Sequence, residues 1–288
     1  MNSDMDHPKL GALYEEHMIL GATFGPSLEP VAYVGDADVL AGECLADGAL
    51  VCDASMAKML LLGGSDAAGY MATTCAGPLL DVGGCGFGAV LTGDGGVASI
   101  PLIARTGDSE YVLFDASSRA DVLEGWLSFV AAIEQDGVAP FANLDCEDVS
   151  RSHVVLVLTG SKAGHVLADY TRARDLPAPG SVCSCMLDRI PCIVARLDVE
   201  TPTYLLLVPP RQARALWRSL LSFVEVTPVG LDVMRDQMLR MLPWGRHLRE
   251  DGRLRITVDE LGYHGLVRDA TDFVGARGLM QDDGGNAQ

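Results

Sequence analysis

The residues here whose types invite chemistry are six histidines, eight cysteines and one glycine-rich run. His7, His17, His153, His165, His247 and His264 are scattered. No two stand at metal-binding spacing on one helix face, and no Gly-x-Ser-x-Gly nucleophile elbow accompanies them. Each reads as a surface or capped residue. Cys183-Ser184-Cys185 has the spacing of half a thiolate metal site. It lacks a second pair at finger spacing, with only Cys192 and His165 as helpers, so no metal is expected. Gly83-Gly84-Cys85-Gly86-Phe87-Gly88 has the look of a nucleotide loop. A dinucleotide loop follows a strand and opens a helix, whereas this run opens a strand and hairpin. The paired acids Glu15-Glu16 and Asp282-Asp283 read as solvated. Generic motifs therefore name no catalytic residue.

The elements around these residues are clearer. From Gly86 to Val130 the pattern is strand, tight turn at Gly93-Asp94-Gly95-Gly96, strand, second turn at Thr106-Gly107-Asp108-Ser109, strand, then helix. That helix is expected over 119–133, capped by Ser118, with Leu123, Trp126, Leu127, Val130 and Ala131 as its apolar stripe. Earlier, a helix from Pro8 to about Leu20 carries Leu10, Leu13, Tyr14, His17 and Met18 along one side, and a short helix or turn covers 39–48. Met59–Leu62 reads as a strand feeding a helix capped by Ser65. Later, Pro209-Pro210 opens a helix over 211–223 with Ala213, Leu216, Trp217 and Leu220 inward. A further helix over 231–242 ends at Pro243. Residues 253–267 read as a strand and a turn, 273–279 as a short turn, and 281–288 as a disordered tail.

Two phrases recur. The strand, Gly-Ser and helix of MLLLGGSDAAGYM return as VVLVLTGSKAGHVL, with Gly64 and Gly160 offset by 96. Tyr111, Trp126 and Ser128-Phe129-Val130 return as Tyr204, Trp217 and Ser222-Phe223-Val224, the triplets offset by 94. Two phrases at nearly one offset indicate a duplicated unit of split βαβ type, helices on one face of an antiparallel sheet.

Composition bounds the function. Of 288 residues 49% are hydrophobic, which excludes global disorder. A net charge of −18 repels a phosphate backbone, so nucleic acid is not an expected partner. No run of about 18 apolar residues occurs and the first residues are polar and acidic. Neither a membrane partner nor export is expected, and the reading is cytoplasmic with reduced cysteines.

The ordered series LYEEHMILGA, GALVCDAS, LTGDGGV, YVLFDASSR, LTGSKAGHVL, PCIVARLD, YLLLVPPRQARALW, VGLDVMRD, LGYHGLV and DFVGARGL resembles the folate-binding region of the glycine cleavage T-protein, an aminomethyltransferase family. The resemblance spans about residues 10–280. It implies an α+β fold of two intertwined lobes, duplicated split-βαβ-like units of antiparallel sheet with helices, around a central folate-type pocket. The first lobe is expected from 1–52 with 145–280, the second from 53–144. The family's C-terminal β-rich domain is not expected after DFVGARGL.

The resemblance further implies tetrahydrofolate as cofactor, a folate-type small molecule as partner, and one-carbon metabolism with aminomethyl or methyl transfer as the activity class. The alternative is a non-catalytic subunit or scaffold paired with a second protein chain. Implied folate-binding residues are Phe87, in the place of a family tyrosine; Asp115 and Arg119, matching an Asn-Ala-x-Asn-Arg phrase with Asp115 for the first asparagine; Arg235 or Arg240, for an arginine that meets the ligand's glutamate tail; and Trp244, with Gly245, for a family Tyr-Gly. Departures concern the chemistry. The family's aspartate pair after the hairpin is Ser99 and Ile100, so no catalytic residue is assigned. Its Asp-Val-Ser-His-Met phrase is Asp53-Ala54-Ser55-Met56-Ala57. The glutamate expected to hold the pterin edge is Leu205, which cannot accept paired N–H bonds.

Overall fold

Val154–Thr159 is a run of β-branched and leucine residues with no charge, and it forms a strand buried along its whole length. It lies inside a six-stranded sheet ordered Ser181–Leu187, Ile190–Arg196, Thr203–Val208, Val154–Thr159, Ala49–Asp53, Val226–Pro228. Neighbours are antiparallel where this strand meets Thr203–Val208 and Ala49–Asp53, and the last strand joins parallel. These observations come from a computed structural model describing residues 11–36, 44–134, 136–172, 175–248 and 256–282.

A five-stranded antiparallel sheet repeats the plan in the order Asp145–Asp148, Lys58–Gly63, Glu110–Asp115, Leu102–Gly107, Cys85–Phe87. Lys58–Gly63 and Val154–Thr159 occupy equivalent places, and each leads into a helix, Ala67–Thr74 or Ala163–Ala168. All these starts are offset by 96, so the duplication read in the sequence is a duplication of structure. Even the entries match. Gly64 and Gly160 have φ of +96° and +134°, and the residues before the two helices, Asp66 and Lys162, share φ −93° and ψ −5°. That conformation is helical rather than the extended one a side-chain cap needs, so neither caps its helix by side chain and Ser65 is not the N-cap. Arg119 similarly precedes helix Ala120–Ala131 in place of Ser118.

The chain divides into two compact units, 1–56 with 151–177 and 183–241, and 57–150 with 178–182 and 242–288. The strand preceding each repeat therefore pairs inside the other one: Ala49–Asp53 beside Val154–Thr159, and Asp145–Asp148 beside Lys58–Gly63. In the first unit, helix Pro210–Leu220 buries Ala213, Leu216, Trp217 and Leu220, the stripe read from sequence, against Leu156, Leu158 and Leu206. In the second, helix Ala120–Ala131 buries Leu123, Leu127 and Val130 against Leu60, Leu62 and Leu113. Ala213, Trp217 and Leu220 stand at one offset of 90 from Leu123, Leu127 and Val130, so Trp217 matches Leu127 in packing, not Trp126.

The sequence places 242–280 with the first lobe. In the structure these residues belong to the second unit, because Leu261, Leu266, Phe273, Ala276 and Leu279 share an apolar cluster with Leu91, Val97 and Ile100. Residues 256–267 hold a helix, Val258–Tyr263, where a strand and turn are expected. Thr257 and Glu260 form a reciprocal capping box, which outweighs the local β-propensity of Ile256. Ala276–Asp282 is likewise a helix rather than a turn. The expectations for the helix start at Pro8, for 39–43, for 253–255 and for the tail from 283 fall outside the described residues.

Both exchanged strands end in the same clip. Asp53 Oδ1 accepts from the Ser55 N–H at 3.0 Å and hydroxyl at 2.5 Å, and Ser55 Oγ accepts the Val155 N–H at 3.0 Å. Asp148 Oδ1 accepts from the Ser150 N–H at 2.9 Å and hydroxyl at 2.5 Å, and Ser150 Oγ accepts the Met59 N–H at 2.9 Å. Removing either hydroxyl leaves a strand N–H without its acceptor. Ser55→Ala and Ser150→Ala are each expected to cost about 1–3 kcal/mol in urea unfolding. Burial works against ionisation of Asp148, but the Ser150 donors and Lys58 outweigh it and hold its pKa below the ordinary carboxylate value. A carboxylate lowered on folding stabilises above its unfolded pKa of about 4, and that contribution is lost as pH falls through the lower folded value. Asp148→Asn should therefore flatten the acid limb of stability against pH; an unchanged limb refutes the role given to this carboxylate.

Candidate functional site

The hairpin that organises the sequence reading is present. Val90–Leu91 pairs antiparallel with Val97–Ser99 across Thr92–Gly96, where Gly95 has φ +88° and its absent Cβ would meet the backbone of Gly278 and Leu279 at 2.9 Å. Glycine is required there on both counts. The second strand delivers Ser99, fully buried, next to Ile100, which lies in the apolar cluster with Leu261 and Phe273.

Ser99 meets Asp115 at the end of strand Glu110–Asp115. The Ser99 hydroxyl donates to Asp115 Oδ2 at 2.5 Å, and the Ser117 N–H donates to Oδ1 at 2.8 Å. Asp115 is only 3% exposed. Its Asp-Ala-Ser turn repeats the N–H half of the Asp53-Ala-Ser clip. Arg119, at the following helix start, donates through Nε to the Ala98 carbonyl at 2.9 Å and through a terminal nitrogen to that of Val97 at 3.4 Å. It thereby fastens the strand that carries Ser99. The sequence reasoning names Asp115 and Arg119; that they close on Ser99 and its strand was not legible.

Phe87 and Trp244 come together in the same unit. Phe87 ends strand Cys85–Phe87, and Trp244 is the second residue of the 3₁₀ turn Pro243–Leu248. The rings meet edge to face at 5.4 Å and 68°. His264 tilts against Trp244 at 5.3 Å, and Tyr263, 87% exposed, abuts His264 at 5.1 Å. Phe87, Trp244 and His264 are half-buried, so this ladder of four rings runs from the apolar cluster to solvent.

Arg235 and Arg240 lie on helix Leu231–Met241 of the first unit. Each is more than half exposed and paired within its own helix, Arg235 with Asp232 at 3.5 Å and Arg240 with Asp236 at 3.0 Å. Leu205 is a buried strand residue.

One arrangement escapes the sequence reading. His17, expected at the surface or capped, is 2% exposed. Its Nδ1 pairs with the Tyr33 hydroxyl at 2.6 Å and its Nε2 with Asp53 Oδ2 at 2.9 Å, while Trp217 meets the ring edge-on at 5.2 Å. Burial, with Cys52 and the carboxylates Asp53 and Asp36, pushes the Tyr33 phenol far above its ordinary value. The signal was His17's place on the apolar side of its helix. Among the described residues, no three His, Cys, Asp or Glu side chains converge on a metal position.

A family model for the GCVT N-terminal domain matches residues 13–270. The chain belongs to the GCVT N-terminal domain family. The glycine cleavage system aminomethyltransferase T of Bartonella henselae superposes with a TM-score of 0.77 at 20% identity, over 95% of this chain and 74% of that one. A heterotetrameric sarcosine oxidase from Corynebacterium sp. U-96, solved with pyrrole 2-carboxylate, aligns at TM-score 0.41 and 17% identity, over 65% and 90%. No curated protein matches the sequence. Among the described residues, no helix is long and apolar enough to cross a membrane.

Within this GCVT-family chain the Ser99–Asp115 contact makes a specific demand. Asp115→Ala leaves the buried Ser99 hydroxyl with only its 3.4 Å contact to Ser117 Oγ and takes the acceptor from the half-buried Ser117 N–H, and should cost about 1–3 kcal/mol. Ser99→Ala removes one donor from a buried carboxylate, with a loss in the same range. The double variant, which removes both partners, should lose less than the sum of the two, a coupling that a double-mutant cycle in urea reads directly.

Proposed function

We propose that this chain is a reduced-folate-binding member of its family that does not carry out acid-assisted aminomethyl transfer at positions 99 and 100. The observation that carries the reading is the half-buried Phe87–Trp244 pair, an aromatic wall beside the family hairpin. A flat heteroaromatic ring fits such a wall. A reduced folate, once bound, carries a one-carbon unit on its ring nitrogens. By the family resemblance the carboxylate for the pterin edge is replaced by Leu205, which accepts no paired N–H bonds, so a bound pterin lacks that contact.

The chain's own groups argue against the transfer step. Ser99 and Ile100 accept no proton at working pH. Asp115 has both oxygens engaged and is 3% exposed, so it is a structural acceptor before it is a base. The second reading, a subunit that binds another protein, is favoured by the exposed apolar face of helix Ala120–Ala131, argued below.

Thermal unfolding with tetrahydrofolate tests the first reading. Ligand at 100 times its dissociation constant should add about 2.7 kcal/mol of stability. Trp244→Ala should abolish that gain, whereas Asp115→Asn should retain it. No gain at high tetrahydrofolate concentration overturns the reading.

A further inference from the structure

Helix Ala120–Ala131 has two apolar faces where a surface helix needs one. Leu123, Leu127 and Val130 fill the core. A second line, Val122, Trp126, Phe129 and, one turn on, Ile133, follows the spacing i, i+4, i+7, i+11. Phe129 is 59% exposed, Val122 and Ile133 each 40%, and Trp126 is half-buried and stacked on Phe129 with centroids 5.5 Å apart. Exposed Gly125, Ser128 and Ala132 flank the line, so a second helix can approach closely.

The duplication supplies an internal control. Helix Pro210–Leu220, in the same place of the other unit, turns Arg211, Arg214 and Arg218 outward, and Arg214 and Arg218 pair with Glu15 and Glu16. The frame therefore does not demand an apolar outer face. Only the first copy has one.

Charge identifies what covers it. Residues 120–150 carry seven acids and no Lys, Arg or His. Asp121, Glu124 and Asp148 share Lys58, whose side chain is 19% exposed against 94%, 36% and 41% for theirs. The rim thus presents uncompensated carboxylates, joined by exposed Glu134 and Asp136. A second copy of a chain with net charge −18 would set like charges against this rim. Nucleic acid and anionic lipid carry the wrong sign as well.

We propose that the Val122–Trp126–Phe129–Ile133 face docks a helix of a different protein, apolar along its ridge and flanked by Lys and Arg. This deepens the second reading above and is independent of folate: loss of the tetrahydrofolate response leaves it standing, and its own failure leaves that response untouched.

The test uses two synthetic amphipathic helical peptides with one leucine ridge, flanked by Lys in one and by Glu in the other, titrated onto the full chain by fluorescence anisotropy. The Lys-flanked peptide should bind more than about tenfold tighter than its Glu twin, and its affinity should fall with added salt. Phe129→Asp should abolish binding while keeping the thermal unfolding midpoint. Val122→Ser, milder for the fold, should weaken it, and Val224→Asp, at an exposed site of the other unit, should leave it unchanged. Equal binding of the two peptides, binding of neither, or a wild-type dimer in sedimentation that Phe129→Asp splits each overturns the proposal.

Discussion

The fold hangs on two reciprocal clips, Asp53–Ser55 on the Val155 N–H and Asp148–Ser150 on the Met59 N–H. Each fixes the end of a strand that arrives from the other repeat. Forming either sheet therefore requires chain segments about a hundred residues apart to meet, which local propensity cannot arrange. A short polar motif does the registering. The carboxylate holds the serine, and the serine takes the first free N–H of the neighbouring strand. The remaining carboxylate oxygen then recruits a base, His17 for Asp53 and Lys58 for Asp148. Through His17 the first clip also ties down the N-terminal helix, whose Glu16 is further held by Arg218 and Arg214.

Above this shared frame the two repeats have diverged on their outer helices. One outer helix is arginine-rich and pairs with the chain's own acids; its counterpart is apolar within an acidic surround. The buried stripes beneath them stay equivalent, because packing density constrains a core far more tightly than solvent constrains a surface.

The sequence made the fold legible wherever periodicity and turn chemistry were local. The Ala213–Leu216–Trp217–Leu220 stripe, the Gly95 turn and the 96-residue offset are of this kind. It was less legible where a contact crosses the chain. The place of 242–282 depends on Leu261, Leu266 and Phe273 finding Leu91 and Ile100, and nothing local encodes that partner. The helix at Val258–Tyr263 was hidden by β-branched residues, although Thr257-x-x-Glu260 was there to be read. The Asp-x-Ser clips repeat at an offset of 95 and were recoverable as a motif, but their acceptors were not. For the candidate site, residue types were legible and pairings were not: His17 reads as an ordinary surface histidine until Asp53 and Tyr33 are placed around it.

The Ser99–Asp115 contact bears most directly on the missing acid. By the family resemblance, an aspartate is expected near position 99 and an asparagine at position 115. The chain instead has a neutral serine and a carboxylate, joined by one hydrogen bond. The side chains at 99 and 115 thus share a single buried carboxyl group, carried on strand Glu110–Asp115. Buried polar pairs tolerate such exchange because the hydrogen bond and the charge count survive it, whereas loss of one partner leaves an unsatisfied group. Catalysis is less tolerant, since a general base must reach its proton within hydrogen-bond distance. A carboxylate at 115 reaches other atoms than one at 99 would. Ser99 therefore keeps the buried pair bonded while the carboxylate sits on the neighbouring strand, at position 115.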